Sequence, residues 1–270
     1  MTNNVSNPEI SIKESLIALA KREKMSLLWA VESGSRAWGF ASPDSDYDVR
    51  GIYVFAPEQY LKIFPPRESI EFISDKWFDL GLWDMRKVAR LLQRVNPVIY
   101  EWFNSKIIYY KNEFFAEHFG SLLDFYFEPN AFIYHYRGIA KGAMARMQIE
   151  SLAAKELETQ EYSLKKFFYL LRSLLAANFV LQEGKIPPIE IDKLLQNHSP
   201  ELKEEIAQLI TIKAEQNESY KHKISANLWE FMAEIWTEIK KTHYHPNKDL
   251  KSISPADDFF KKLLDCGDRK

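Results

Sequence analysis

Cysteine is nearly missing from this chain: Cys266 is the only one in 270 residues. A single thiol excludes an intramolecular disulfide and a thiolate-built metal cluster, and it fits a reducing compartment. An excess of charge of one sign is missing too, since 36 Lys and Arg stand against 38 Asp and Glu. No whole-molecule positive field advertises nucleic acid, so any such contact has to come from a local patch. No stretch approaches the ~18 apolar residues of a membrane span. The opening MTNNVSNPEISIKESLIALAKREK lacks the basic start and apolar block of a secretory signal. The expectation is a cytoplasmic protein without membrane contact. Internal repeats and low-complexity tracts are absent as well.

What the chain has is apolar substance, 46% of its residues, enough to build a core for one large domain or two modest ones. Its first part mixes periods. Ile12, Leu16, Ile17, Leu19 and Ala20 recur at helical spacing, so residues 11–24 predict a leading helix. Residues 26–32 (SLLWAVE) read as a buried strand that breaks at Ser33-Gly34-Ser35, with a short helix to follow. Further strands are expected over 46–55, 69–74 and 76–83, before 85–92 returns to helical period. From about Asn96 the pattern is helical almost throughout. Helices are expected near 97–104, 112–126, 130–153, 160–183, 189–196, 199–212, 223–242 and 256–265. The polar run Lys213 to Lys223 reads as a mobile turn. The fold class expected is α+β: a small mixed sheet in residues 1–95, followed by an all-helical part in 96–270.

The stretch richest in chemistry is GSRAWGFASPDSDYDVR, residues 34–50. Asp46 and Asp48 are two apart in a predicted strand, so both side chains leave the same face and can converge on cations. Carboxylate oxygens suit Mg²⁺ or Mn²⁺. Two such ions, ~3.5–4 Å apart, activate an attacking hydroxyl and neutralise a leaving pyrophosphate. Gly34-Ser35, directly after a strand, lets the backbone turn tightly and aim N–H groups at a phosphate, with the Ser35 hydroxyl as one more donor. For a third carboxylate the chain offers Glu71, Asp75, Asp79 and Asp84. Asp79 is chosen, because a charge between Phe78 and Leu80 in a strand is costly unless paired or metal-bound. Asp84 reads as the N-cap of the helix behind it, and Glu71 and Asp75 flank a turn.

Several basic residues have two readings. Arg36 and Arg50 are placed to clamp a phosphate, or else to pair with the carboxylates themselves. Lys165, Tyr169 and Arg172, spaced four then three apart, line one side of a helix. That side either faces the nucleotide or is an ordinary solvated surface. Asn96-Pro97 with Glu101 reads as structural, an N-cap followed by proline at the first helical position. Tyr134, His135, Arg137 and Lys141 read more readily as packing than as a nucleic-acid face, and His243-Tyr-His245 with Cys266 has no zinc spacing.

Residues 34–50 resemble the signature of the DNA polymerase β-type nucleotidyltransferase superfamily, Gly-Ser, a glycine, then Ser-Asp-x-Asp. More closely, the chain is similar to the bacterial and phage family of RNA repair pathway nucleotidyltransferases. That likeness extends through Asp79-Leu-Gly-Leu-Trp-Asp-Met-Arg86-Lys87, Asn96-Pro97-Val-Ile-Tyr-Glu101-Trp and Lys165-Lys166-Phe-Phe-Tyr169-Leu-Leu-Arg172, with Pro187-Pro188 beyond. The resemblance implies that Gly34 and Ser35 bind the triphosphate and that Asp46, Asp48 and Asp79 are catalytic metal ligands. Ser45, Arg36, Arg50, Lys165, Tyr169 and Arg172 join the nucleotide-binding candidates. It implies an NTP substrate and an RNA acceptor, a tRNA end among them. Two alternatives remain: transfer to a protein or small molecule, as in antitoxin-type AMP transferases or aminoglycoside-modifying relatives, and nucleotide binding without turnover.

Overall fold

The computed structural model describes residues 8–74, 78–245 and 250–267. Helix α1 (Pro8–Glu23) buries Ile12, Leu16 and Leu19 of the stripe read from its sequence, while Ile17 is exposed. Strand β1 (Met25–Ser33) follows, then the short α2 (Gly34–Trp38), β2 (Tyr47–Phe55), α3 (Pro57–Tyr60), β3 (Ser69–Ser74) and β4 (Phe78–Asp84). Next come α4 (Met85–Gln93), α5 (Pro97–Asn104) and β5 (Ile108–Lys111). Asp84 caps α4 by accepting from the Arg86 amide at 2.9 Å, and Asn96 caps α5 ahead of Pro97, as expected for both. The rest comprises α6 (Glu113–Tyr126), α7 (Pro129–Arg146), β6 (Glu161–Ser163), α8 (Leu164–Glu183), α9 (Ile191–Leu194), α10 (Pro200–Glu215), β7 (Lys221–Lys223), α11 (Ala226–Ile239) and α12 (Ser254–Gly267). Among the described residues no helix is long and apolar enough to cross a membrane.

The main sheet is mixed and runs β3-β4-β2-β1-β5. Only the β2–β4 pair is parallel; the other three pairs are antiparallel. Both faces are covered. Val49, Tyr53 and Phe55 of β2 and Phe78, Leu80 and Leu82 of β4 pack with α1 on one side. Ile52 and Val54, on the opposite face by alternation, join a single large core that continues through α4–α8 to α11 and α12. The mixed sheet with its helical remainder is the α+β class expected.

Four local expectations need correction. The sheet draws β5 from beyond residue 95, so a division there cuts through the sheet rather than beside it. Four residues with one fully buried side chain, Tyr109, are too few to announce a strand by alternation. Helix α7 stops at Arg146, not near 153, because Gln148 turns left-handed (φ 58°) and the Ile149 amide returns to the Met144 carbonyl at 2.9 Å. That is Schellman geometry with glutamine where glycine is usual, so no sequence signal marked it. Residues 161–163 form a strand against 221–223 instead of the first turn of α8. The run 213–223 is therefore tied down at both ends: Lys213 is buried with its Nζ on Ser42 Oγ at 2.7 Å, and Lys221–Lys223 is a strand. Asp75 and the first two residues expected for the fourth strand lie outside the described residues.

Candidate active site

The Gly-Ser turn sits where β1 ends. Gly34 takes φ +64°, and a Cβ built on it would collide with Asp48 Oδ2. Two separate constraints, backbone sign and space, thus demand glycine here, and the second places the Asp48 carboxylate directly on the turn. Ser35 Oγ donates to Ser45 Oγ at 3.3 Å, and Ser45 Oγ also accepts from the Ser42 amide at 2.9 Å. Both serines are buried, so the two ends of the signature loop are joined through their hydroxyls.

The parallel pairing of β2 and β4 sets Asp48 opposite Asp79. Alternation puts Asp48, Arg50, Asp79 and Gly81 on the sheet face turned toward the helices, away from α1. Arg50 NH2 donates to Asp48 Oδ1 at 3.3 Å and to Asp79 Oδ2 at 2.7 Å, while its NH1 reaches the carbonyls of Val49 and Asp79. Two carboxylates from neighbouring strands therefore meet on one cationic nitrogen. Burial pushes the Asp48 carboxyl above its ordinary range; Arg50 opposes that shift, and the charges of Asp79 and Asp46 add to it.

Asp46 departs from the expected geometry. It precedes the first residue of β2 and is exposed, so strand alternation does not carry it onto the Asp48 face. Among the described residues no three His, Cys, Asp or Glu side chains are gathered closely enough to hold a metal. Asp48 and Asp79 form the assembled pair. A pair still suits a hard divalent cation, because Mg²⁺ is commonly held by one or two carboxylates together with substrate phosphates. The guanidinium nitrogen between the two aspartates shows that their oxygens accept one positive centre in common.

The two arginines behave differently. Arg50 is the ion-pair partner of the carboxylates. Arg36 does not pair with the carboxylates: its NH2 donates to the Ser45 carbonyl at 2.6 Å, its Nε to the Asp46 carbonyl at 3.2 Å, and its guanidinium lies over the Tyr47 ring. It braces the loop that delivers Asp46.

From α8, Lys165 and Tyr169 reach this face. Lys165 feels the charge of Asp46, and the raised Tyr169 hydroxyl pKa comes chiefly from burial and next from the charge of Asp48. Tyr169 also meets Trp38 edge-on at 5.1 Å. Arg172 does not share the exposed stripe expected of it. It is 4% exposed, with Nε on the Ile189 carbonyl at 2.9 Å, NH1 on Glu101 Oε1 at 3.0 Å and its guanidinium 4.3 Å from the Trp38 ring centroid. By that point α8 is buried all round, including Leu170, Leu171, Ser173 and Leu174. Arg172 thus bears on the site through Trp38, against whose ring its guanidinium lies, and through its charge on Tyr169. Glu101, read as structural, is the acceptor that orients it and also takes the Tyr136 hydroxyl at 2.9 Å.

Two site residues escaped the sequence reading. Glu32 is 1% exposed, accepting from the Asp48 amide at 2.9 Å and the Tyr109 hydroxyl at 2.6 Å. Burial, reinforced by Asp48, raises its pKa. The signal was available, a lone acid directly after the apolar run Leu27–Val31 in a predicted buried strand, since such a group is costly without partners. Glu218 carried no signal, lying 173 positions from the Ser45 it contacts. Its Oε1 accepts from Ser45 Oγ at 3.2 Å, its Oε2 pairs with Lys165 Nζ, and its amide donates to Asp44.

A glycine-serine turn thus lies under a strand-borne aspartate, with a second aspartate in register on a parallel neighbour and the helical half facing both. Residues 9–262 match the RNA repair pathway DNA polymerase beta family, and the chain belongs to it. It is 40% identical over 205 residues to "Uncharacterized protein YcgL" of Bacillus subtilis (strain 168), covering 74% of this chain and 75% of that one. Among solved structures it matches a nucleotidyltransferase-like protein from Exiguobacterium sibiricum 255-15 with 11% identity and a TM-score of 0.33, over 86% of this chain and 74% of that one. So slight a likeness carries no weight in the assignment.

Proposed function

We propose that the chain transfers a nucleoside monophosphate from an NTP to an acceptor hydroxyl, releasing pyrophosphate, and that the acceptor is an RNA 3′ end. The observation that carries the chemistry is the convergence of Asp48 and Asp79 on one cationic nitrogen directly above Gly34. The family description supports the RNA acceptor. The Gly34-Ser35 backbone, the Ser35 and Ser45 hydroxyls and the Lys165 ammonium bind and orient the phosphates. Asp79, with 44% of its side chain exposed, is the carboxylate open to the acceptor and holds the proton that leaves its hydroxyl. Glu32 fixes the Asp48 backbone from the buried side of the strand. Tyr169 and Trp38 wall the nucleoside side and exclude water. A divalent cation, Mg²⁺ or Mn²⁺, bound by Asp48 and Asp79 with Asp46 drawn in, would supply charge neutralisation at the reacting phosphate and acidify the acceptor hydroxyl.

The test is incubation of the purified chain and MnCl₂ or MgCl₂ with each NTP, α-labelled, and total cellular RNA, beside Asp48→Asn. Label incorporated into RNA by the wild type, reduced at least about a hundredfold in Asp48→Asn, is the expected result. Label on protein or on a small molecule would replace the acceptor. Tight NTP binding with no pyrophosphate released against any acceptor would end the enzyme reading.

A further inference from the structure

The segment joining α10 to β7 crosses the molecule and lies on the signature loop. One anchor is Lys213, buried, with its Nζ on Ser42 Oγ at 2.7 Å. The other is the β6–β7 pairing, continued by the Leu164 amide on the Tyr220 carbonyl at 3.1 Å. Between them the Glu218 amide donates to both oxygens of Asp44, at 3.1 and 3.2 Å. The backbone is thus gripped on both sides of the Glu218 carboxylate, which is delivered onto two donors. Those donors are the Ser45 hydroxyl, itself joined to Ser35, and the Lys165 ammonium.

A carboxylate held by a serine hydroxyl and a lysine ammonium makes the contacts a phosphate oxygen would make. Burial alone would lower the Lys165 pKa, yet the hydrogen bond and charge of Glu218 outweigh it and raise it. The ammonium therefore stays charged and paired with Glu218 rather than standing ready for a ligand. The geometry points to Glu218 as a specificity-determining residue, an internal anion that a nucleotide's outer phosphates must displace from Ser45 and Lys165. This rests on the proposed NTP site and adds to it a threshold: a ligand without outer phosphates cannot reach these donors and gains nothing from displacing the carboxylate. A triphosphate, with more negative charge and more acceptor oxygens than one carboxylate, wins the exchange.

Neutralising Glu218 without changing its shape should therefore tighten NTP and leave NMP alone. The experiment is equilibrium binding of each NTP, the matching NMP and inorganic pyrophosphate to the full chain, for wild type, Asp48→Asn, Glu218→Gln and Lys165→Ala, with thermal melts to confirm that each is folded. Glu218→Gln should bind NTP and pyrophosphate roughly fivefold more tightly, the size of a half-exposed ion pair, with NMP unchanged. Trypsin cleavage at Lys221 and Lys223 supplies an independent reading. Saturating NTP should speed it in the wild type as the carboxylate leaves its donors, and Glu218→Gln should be cut faster even without nucleotide. Equal or weaker NTP binding by Glu218→Gln would overturn the inference, because a residue that merely orients Ser45 and Lys165 loses affinity when neutralised. If that variant does not fold, the wild-type cleavage decides, and a rate unmoved by NTP rejects the inference. A wild type that binds neither NTP nor pyrophosphate would instead bring down the nucleotide site itself, and this inference with it.

Discussion

Gly34 carries two constraints at once, one of backbone sign and one of space. An alanine there has to accept φ +64° and drive its Cβ into the Asp48 carboxylate. The left-handed strain alone costs on the order of 1 kcal/mol, and relief of the clash requires Asp48 to swing off the turn. Gly34→Ala should therefore lower the melting temperature by a few degrees while reducing NTP incorporation far more, by at least about a hundredfold. Melting curves and labelled-NTP turnover check the two halves separately, and a variant with near-normal turnover would show that the turn does not set the carboxylate. At this scale much was legible. Glycine, serine and the choice of Asp79 followed from spacing and from the cost of a charge inside a strand. Glu32 was equally visible as a buried acid, but the partners that explain it, the Asp48 amide and Tyr109, come from two other strands that no local pattern links to it.

Among the elements, α8 does two jobs that its sequence does not separate. Its first turns offer Lys165 and Tyr169 to the sheet, and one turn further Arg172 is enclosed with Glu101 beneath Trp38. The spacing of four and three residues is right for one helical side, but spacing is silent on where a neighbouring segment covers that side. The Pro187–Ile189 stretch does so, with the Ile189 carbonyl taking Arg172 Nε. Removing one member of a buried ion pair leaves the other charge uncompensated. Arg172→Met should thus cost about 3 kcal/mol in urea unfolding, and Arg172→Met with Glu101→Leu should recover a good part of that. Lys165→Ala should leave stability within about 0.5 kcal/mol and weaken NTP binding instead. A reversed pattern would restore Arg172 to the nucleotide. Helix existence and the caps at Asp84 and Asn96 were readable because capping is local chemistry. The end of α7 and the three short strands outside the expected sheet were not, being set by a left-handed glutamine and by partners distant in sequence.

Two hydrophobic clusters hold the molecule, one on each face of the sheet, and two half-buried histidines lie in its helical part. Burial lowers the pKa of His135 below its ordinary 6.5, against the opposing charge of Glu101, and burial followed by Lys203 lowers that of His198. The unfolded chain therefore takes up protons first as pH falls through about 6.5, while the folded chain still refuses them. Their contribution is whole above that value and is lost progressively below it, down to their folded-state values. Urea midpoints measured between pH 7.5 and 5.5 should fall with acidification, and His135→Gln with His198→Gln should flatten the slope. An unchanged slope would mean that both rings are protonated in the folded chain.

The lateral alignment of β2 with β4 has a consequence for how the chain tolerates change in length. Residues of β4 alternate between the α1 side, taken by Phe78, Leu80 and Leu82, and the opposite side, where Asp79 stands level with Asp48. Deleting one residue inside Phe78–Asp84 would rotate leucine into the place of the acid and bury the acid against α1. The segment between β3 and β4 and the loop ahead of β3 lie outside that constraint. Insertions should accumulate in those connections across relatives, and the seven residues of β4 should keep their number.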